Sequence, residues 1–215
     1  MVPSFGDGRR RNFVVVRHGR KGSVEPLPSA DRRLCTLGPG MLSVAEADDL
    51  VSQHLGTTPR AVHTRFVAHV MRELARTFAA DADLWEVVGL CHDLDFFKTR
   101  DNWSQHGLLT IQWLGERIPV EAQSAIASHD HRTGVQSDTL VADMLKIADV
   151  IAVIDAKLGR RMLCNVDRKD PLTALRTWLA DWPHLCDMLE RYTKKHGPVV
   201  ERVIDIVAAS PSPSY

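Results

Sequence analysis

The stretch that decides the fold runs from residue 84 to residue 95 and reads Leu84-Trp-Glu-Val-Val-Gly-Leu-Cys-His-Asp-Leu-Asp95. It is mostly apolar up to Cys91 and then meets the pair His92-Asp93. A carboxylate at the end of a buried helix requires a partner, because burying an unpaired charge is very unfavourable. A divalent cation supplies that partner, and imidazole together with carboxylate suits several transition metals. The stretch therefore predicts a buried metal site at the end of a helix.

Two further polar residues lie on apolar helix faces on either side of this stretch. His63 shares a helical face with Val67 and Val70, so its side chain is expected to point into the core. Asp149 follows Leu145 at helical spacing and has small apolar neighbours. A buried histidine or a capping aspartate explains either residue alone. Their order along the chain around His92-Asp93 favours a shared metal site.

The chain around these residues has helical periodicity. Ser43, with Glu46 three positions later, forms the pattern of a capping box and predicts a helix over residues 44–55. Pro59 is suited to open the next helix. Further helices are predicted near residues 104–116, 120–130, 138–158, 171–181 and 184–209. We expect an all-α fold, a helical bundle with a short irregular or β-like N-terminal extension.

The first part of the chain differs in composition from the rest. Residues 1–43 are rich in Gly, Pro and Arg, with one β-like run at Phe13-Val-Val-Val16. Residues 1–22 contain six basic residues and one acid, a net charge of +5. A solvated leader is favoured over a phosphate-binding arm. We therefore divide the chain into an N-terminal extension (1–43), a helical domain (44–209) and a disordered tail (210–215).

The composition of the chain indicates its size class, its expected partners and its expected compartment. The 215 residues suffice for one well-buried domain, and Lys+Arg and Asp+Glu both total 27. This balance gives no reason to expect a nucleic acid polymer or a membrane as partner. The four cysteines form no CxxC pair, and the N-terminus does not resemble a signal peptide. A cytoplasmic protein with reduced thiols is expected.

The order His63, His92-Asp93, Asp149 resembles the motif of the HD superfamily of metal-dependent phosphohydrolases. The flanks agree: His63-Thr-Arg-Phe-Val-Ala68 is similar to the first helix of that family, and Leu145-Lys-Ile-Ala-Asp149 to its last motif helix. The likeness covers about residues 59–158. The run from Leu84 to Asp95 resembles a subgroup described only as HD hydrolases. The resemblance implies that His63, His92, Asp93 and Asp149 hold a divalent ion.

Two more histidines extend the resemblance to the two-metal members of the superfamily. His106-Gly107 matches their first additional histidine, which stands in an HG pair. The second stands in an HH pair, which here is replaced by Ser128-His-Asp-His131. We favour His129 as the second ligand, since its helix neighbours are apolar. In this interpretation Asp93 bridges two ions; the alternative is that both histidines donate hydrogen bonds to a substrate phosphate.

The activity implied is hydrolysis of a nucleotide or another small phosphorylated metabolite by metal-activated water. The metal is one or two ions of Mn, Fe, Co, Ni, Mg or Zn. No GYP segment follows, which disfavours the branch that cleaves cyclic dinucleotides. The candidate catalytic residues are Asp93, Asp95 and Lys98, where Asp95 could orient a ligand or water. The candidate substrate-binding residues are Lys98, Arg100, His131 and Arg132.

Other functions stay open from the sequence. The same six ligands match the di-iron oxygenases built on the HD fold, and a non-catalytic metal- or ligand-binding module is a third reading. Arg17-His18-Gly19, after the β-like run, resembles the opening of a histidine-phosphatase domain. That fold needs a large α/β domain and a second catalytic histidine, and the helical pattern begins too soon for it. A homo-oligomer is left open.

Overall fold

The computed structural model describes residues 40–210, which belong to one compact unit. This part of the chain contains ten α-helices and no strand. Three short 3-10 turns interrupt it at Trp103–Gln105, Gly115–Arg117 and His131–Thr133. The helices are α1 (Val44–Leu55), α2 (Pro59–Thr77), α3 (Ala82–Cys91), α4 (Leu108–Leu114), α5 (Val120–Ser128), α6 (Leu140–Leu158), α7 (Arg160–Cys164), α8 (Pro171–Trp178), α9 (Pro183–His196) and α10 (Val199–Ala209). The all-α prediction is confirmed for these residues.

The first two helices begin where the local sequence signals predict. The Ser43 hydroxyl accepts a hydrogen bond from the Glu46 amide at 3.3 Å, and the Glu46 carboxylate accepts one from the Ser43 amide at 2.9 Å. This reciprocal pair satisfies two amides that a helix start leaves without partners. Pro59 occupies the first turn of α2, where its missing amide hydrogen costs nothing.

The structure differs most from the predicted helices in two places. The single helix predicted over 184–209 is two helices, because Gly197 has a φ of +72° and Pro198 cannot continue the hydrogen-bond ladder. The helix predicted over 104–116 is reduced to α4, because Gly107 has a φ of +77° and a 3-10 turn precedes it. The short helix α7 was not predicted.

Helices α2, α3, α5 and α6 pack around the core that carries the polar site. Gly89 on α3 lies directly against α2, and a Cβ atom there would come within 2.5 Å of the Ala68 Cα. Only glycine permits this close approach. On α6, Leu145, Ile147 and Ile151 are completely buried. The close contact of α2 with α3 sets His63 beside His92.

The last two helices close the bundle on the other side of α6. Arg160 donates to both oxygens of the buried Asp155 at 2.9 Å and also to the carbonyl of Val207 at 2.7 Å. These bonds join the end of α6 to the end of α10. On α9, Leu189 is fully buried, and Tyr192 is nearly so.

Several predictions concern residues outside the described range. The β-like run at residues 13–16, the basic segment 1–22, the Arg17-His18-Gly19 motif and most of the 210–215 tail lie there. Among the described helices, none is long and apolar enough to cross a membrane.

Candidate metal centre

The six residues predicted as metal ligands come together in the middle of the bundle. They reach it from four helices and one turn: His63 from α2, the His92-Asp93 pair from the end of α3, His106 from the turn before α4, His129 from the end of α5 and Asp149 from α6. Their ligand atoms form two adjacent groups. One contains His63, His92 and Asp149, and the other contains Asp93, His106 and His129. Within each group the atoms lie within 4.8 Å of one another.

Asp93 lies between the two groups and turns one carboxylate oxygen toward each. Its Oδ2 is 3.2 Å from His92 Nε2 and 3.8 Å from His63 Nε2. Its Oδ1 is 3.0 Å from His106 Nε2 and 3.9 Å from His129 Nε2. A carboxylate in this position has the geometry of a bridge between two cations.

Three of the histidines are held in one tautomer by their surroundings. His92 Nδ1 donates to the Gly89 carbonyl at 2.7 Å, and His129 Nδ1 donates to the Ile126 carbonyl at 2.7 Å. A carbonyl oxygen can only accept, so the proton must be on Nδ1. His106 Nδ1 donates in the same way to Asp95 at 2.7 Å. Each ring therefore presents Nε2 toward Asp93, which is the arrangement that surrounds metal-binding histidines.

The nitrogen atoms that face the middle of this cluster fit the requirements of a divalent cation. His92 Nε2 is completely buried and has no hydrogen-bond partner among the described residues. The Nε2 atoms of His106 and His129 face each other at 3.2 Å. When both rings are neutral with the proton on Nδ1, as metal binding requires, both nitrogens carry lone pairs, which repel at this distance. A divalent ion in each group would accept these lone pairs, one from His92 and the other from His106 and His129.

The two carboxylates of the centre are ionised. Burial opposes the charge on Asp93, but His92 and His106 hold its pKa well below the usual range. Burial also opposes the charge on Asp149, yet the hydrogen bond from His63 at 3.0 Å lowers its pKa to about 2. Both groups therefore carry negative charge at neutral pH, as metal ligands must.

Two histidines of the centre differ in protonation. Burial disfavours the cation of His106, but its hydrogen bonds with Asp93 and Asp95 raise its pKa to about 9. Burial, together with the neighbouring His92 and His106, lowers the pKa of His129 to about 4. Without metal, the His106 imidazolium balances part of the carboxylate charge. His129 is neutral, so its Nε2 has a lone pair that could bind a metal ion.

Asp95, predicted as a catalytic residue, lies behind His106. It is fully buried, and its two oxygens accept from His106 Nδ1 at 2.7 Å and from the Thr110 amide at 3.0 Å. The carboxylate does not line the cavity next to the centre. Of the two roles predicted for Asp95, orienting a ligand agrees with this placement, and orienting a water stays a prediction.

A cavity of about 190 Å³ opens beside the two groups. Besides four of the six clustered residues, its lining includes Arg60, Phe96 and Trp103, which the sequence reasoning missed. Arg60 Nη1 donates to Asp93 Oδ2 at 2.8 Å, and the guanidinium lies 3.9 Å above the Phe96 ring. A signal was present, since Arg60 precedes His63 by three residues on the same helical face.

The predicted anion-binding residues divide into two pairs. His131 and Arg132 line the cavity; Arg132 stacks over Trp103 at 4.0 Å and is paired with Asp130. Lys98 and Arg100 do not line it. Both are exposed, because the turns after Asp95 carry the chain away from the centre. Arg100 instead stacks over Phe97 at 4.4 Å. The substrate contacts of Lys98 and Arg100 therefore stay a prediction, which the lining of this cavity does not support.

Cys91, which precedes the His-Asp pair, belongs to neither group of candidate ligands. Burial raises the pKa of its thiol to about 12, so it remains a neutral core side chain.

One of the comparisons with known proteins agrees with this geometry. The family model of the HD domain matches residues 60–154, a range that contains all six clustered residues. No curated protein and no solved structure matches the chain.

Proposed function

Since the chain is a member of the HD superfamily through residues 60–154, we propose that it is a metal-dependent phosphohydrolase acting on a nucleotide or another small phosphorylated metabolite. HD domains are generally metal-dependent hydrolases, and this chain has candidate ligand groups for such metals. The observation that carries the proposal is Asp93, which turns one oxygen toward each of two groups of ligand atoms.

The donor set supports a site for two ions. His63, His92 and Asp149 would hold the first, and His106 and His129 the second, with Asp93 shared between them. A bound divalent ion would lower the pKa of a coordinated water and polarise a phosphoryl oxygen. A set of four imidazole and two carboxylate ligands is compatible with Mn, Fe, Co, Ni, Mg or Zn.

Arg60 and Arg132 are placed to bind the phosphoryl group. Both guanidinium groups line the cavity, and both are stacked on aromatic rings, Phe96 and Trp103. A stacked guanidinium is preorganised to donate to two phosphoryl oxygens and to stabilise charge that develops on them. These two cations favour phosphate ester hydrolysis over the oxygenase alternative, whose chemistry requires no phosphoryl-binding donors.

Asp93 and His106 would set the geometry of the attack. The bonds of Asp93 with Arg60 and His106 fix the direction of its carboxylate. Asp95 in turn fixes the ring of His106. The rigid carboxylate is suited to orient a water molecule for in-line attack on phosphorus.

Metal analysis followed by a phosphatase screen tests the proposal. Protein purified without chelators should contain about two ions per chain, and Mn, Co, Ni or Mg should support release of phosphate from small esters. Asp93→Ala should lose metal and turnover while keeping its helical circular dichroism. Lys157→Ala, an exposed cation on α6 that lies over Trp182, serves as the matched control.

Two results would count against hydrolysis. Full metal content and turnover in Asp93→Ala would refute the assigned centre. Substrate-dependent oxygen uptake by the iron-loaded protein, with no phosphate released from any ester, would favour the oxygenase. A metal-loaded protein with neither activity would favour a binding module.

A further inference from the structure

A second, larger cavity adjoins the one beside the candidate metal centre. Its volume is about 660 Å³, and it lies between the segment after α5 and the facing sides of α6 and α9. The two cavities share His129, His131 and Met188 in their linings. A molecule with one end at the metal centre can therefore extend into the larger cavity past His129.

The larger cavity has an excess of cationic groups. Lys146 on α6 and Arg191 on α9 both line it. Neither forms an ion pair or a side-chain hydrogen bond within residues 40–210. Lys146 is only partly exposed, and burial lowers its pKa; the nearby Asp143 opposes this shift, whereas Lys195 and Arg191 add to it. Cations that repel each other beside a cavity create a binding site for an anion.

The acidic residues near these cations are already paired. Asp187 lines the cavity, but its carboxylate accepts from Arg176 at 3.1 Å. Asp143, one turn before Lys146 on α6, accepts from Lys195 at 2.6 Å and from His196 at 2.8 Å. These bonds leave Lys146 and Arg191 without a carboxylate of their own.

We infer that this cavity, formed around Lys146 and Arg191, binds a second anionic group on the leaving-group side of the substrate. The inference rests on the proposed function: the phosphoryl group would lie at the candidate metal centre and the second anion at these two cations. The substrate class is then a phosphate ester whose leaving group carries another phosphate or a carboxylate. A volume of this size accepts a sugar or nucleoside between the two anions.

Binding of a bisphosphonate distinguishes this site without depending on turnover. Propane-, butane- and pentane-bisphosphonate carry two anions joined by bonds that a phosphohydrolase does not cleave, and the corresponding alkyl monophosphonates carry one. Each is titrated by calorimetry into the full-length, metal-loaded protein. The bisphosphonate of best-matching length should bind at least about tenfold more tightly than its monophosphonate, since a hydrogen bond to a charged group has this strength.

Two variants and one control locate the effect. Lys146→Gln and Arg191→Gln should each reduce the preference for two anions to about twofold while leaving monophosphonate affinity and metal content unchanged. Lys157→Gln changes a cation on the same helix that does not line this cavity, and should keep the full preference. Thermal unfolding of each variant shows that the fold is intact.

The outcomes separate this inference from the proposed function. A wild-type protein without preference for two anions, or a preference that persists in both variants, would overturn the inference. Hydrolysis of p-nitrophenyl phosphate in that case would leave the proposed function standing. A preference lost in both variants supports the anion site, even in a protein that hydrolyses no ester.

Discussion

Replacing Asp95 with asparagine should weaken the second metal position selectively. In the structure the Asp95 carboxylate accepts from His106 Nδ1 at 2.7 Å and from the Thr110 amide at 3.0 Å. An asparagine has one acceptor oxygen and one NH₂ group, so it can satisfy only one of these donors. The ring of His106 then loses either its orientation or the negative charge that makes its Nε2 basic.

The magnitude follows from the general effect of the groups that orient metal ligands. Loss of such a hydrogen-bond partner lowers metal affinity about tenfold to hundredfold. This range corresponds to about 1.4–2.8 kcal/mol of binding free energy. The proposed first position, formed by His63, His92 and Asp149, does not include Asp95, and its affinity should change by less than about threefold.

Equilibrium dialysis with Mn or Zn measures both affinities. Relative to the wild type, Asp95→Asn should bind one ion with unchanged affinity and the other more weakly. Asp155→Asn is the matched control, because it removes a buried carboxylate that is paired with Arg160 and belongs to neither group of candidate ligands. Unchanged affinity for both ions in a folded Asp95→Asn protein would refute the positioning role, as would equal weakening of both.

Three further predictions follow from the same structure. Gly89→Ala should destabilise the fold by about 1–3 kcal/mol, measured by urea denaturation, since its Cβ would lie 2.5 Å from the Ala68 Cα; a variant as stable as the wild type would contradict this packing. Below its raised pKa of about 9, His106 is protonated without metal, so the apparent affinity of the second ion should rise about tenfold per pH unit between pH 6.5 and 8.5, and calorimetry should detect proton release. A pH-independent affinity would show that the ring is neutral before metal binds. A chain that begins at Gly40 should keep its metal and melting temperature, because the buried Leu42, whose amide donates to the Arg117 carbonyl at 2.8 Å, is retained; loss of metal on this truncation would assign residues 1–39 a role in the centre.

The sequence alone determined the class of fold and the starts of several helices. The capping box of Ser43 and Glu46 and the proline at position 59 act within a single turn of chain, so local chemistry is sufficient to predict them. The break between α9 and α10 also has a local cause, the turn signal of Gly197 and Pro198. The prediction of one helix over residues 184–209 did not use this signal. The set of six candidate ligands came from residue order and from the family resemblance, and the structure brings them together.

Only the tertiary structure showed which of those residues face the candidate metal centre and which face away from it. Asp93 faces two groups of ligands only because α2, α5 and α6 bring side chains from both directions to the end of α3. Asp95 was separated from the cavity by the ring of His106, and Lys98 was carried outward by the turns that follow. The periodicity of the sequence does not predict the directions in which the side chains of Asp93, Asp95 and Lys98 point.

Two features could be seen only after the helices had packed. Arg60 reaches Asp93 across 33 positions of sequence, and Lys146 and Arg191, on α6 and α9, meet at one cavity. The periodicity of the sequence assigns each of these residues to one face of its helix. Which other helix that face contacts depends on how helices that are distant in sequence pack against each other. The candidate ligands could therefore be identified from the sequence. The side chains around the cavities, which would select the substrate, could be identified only from the packing of the helices.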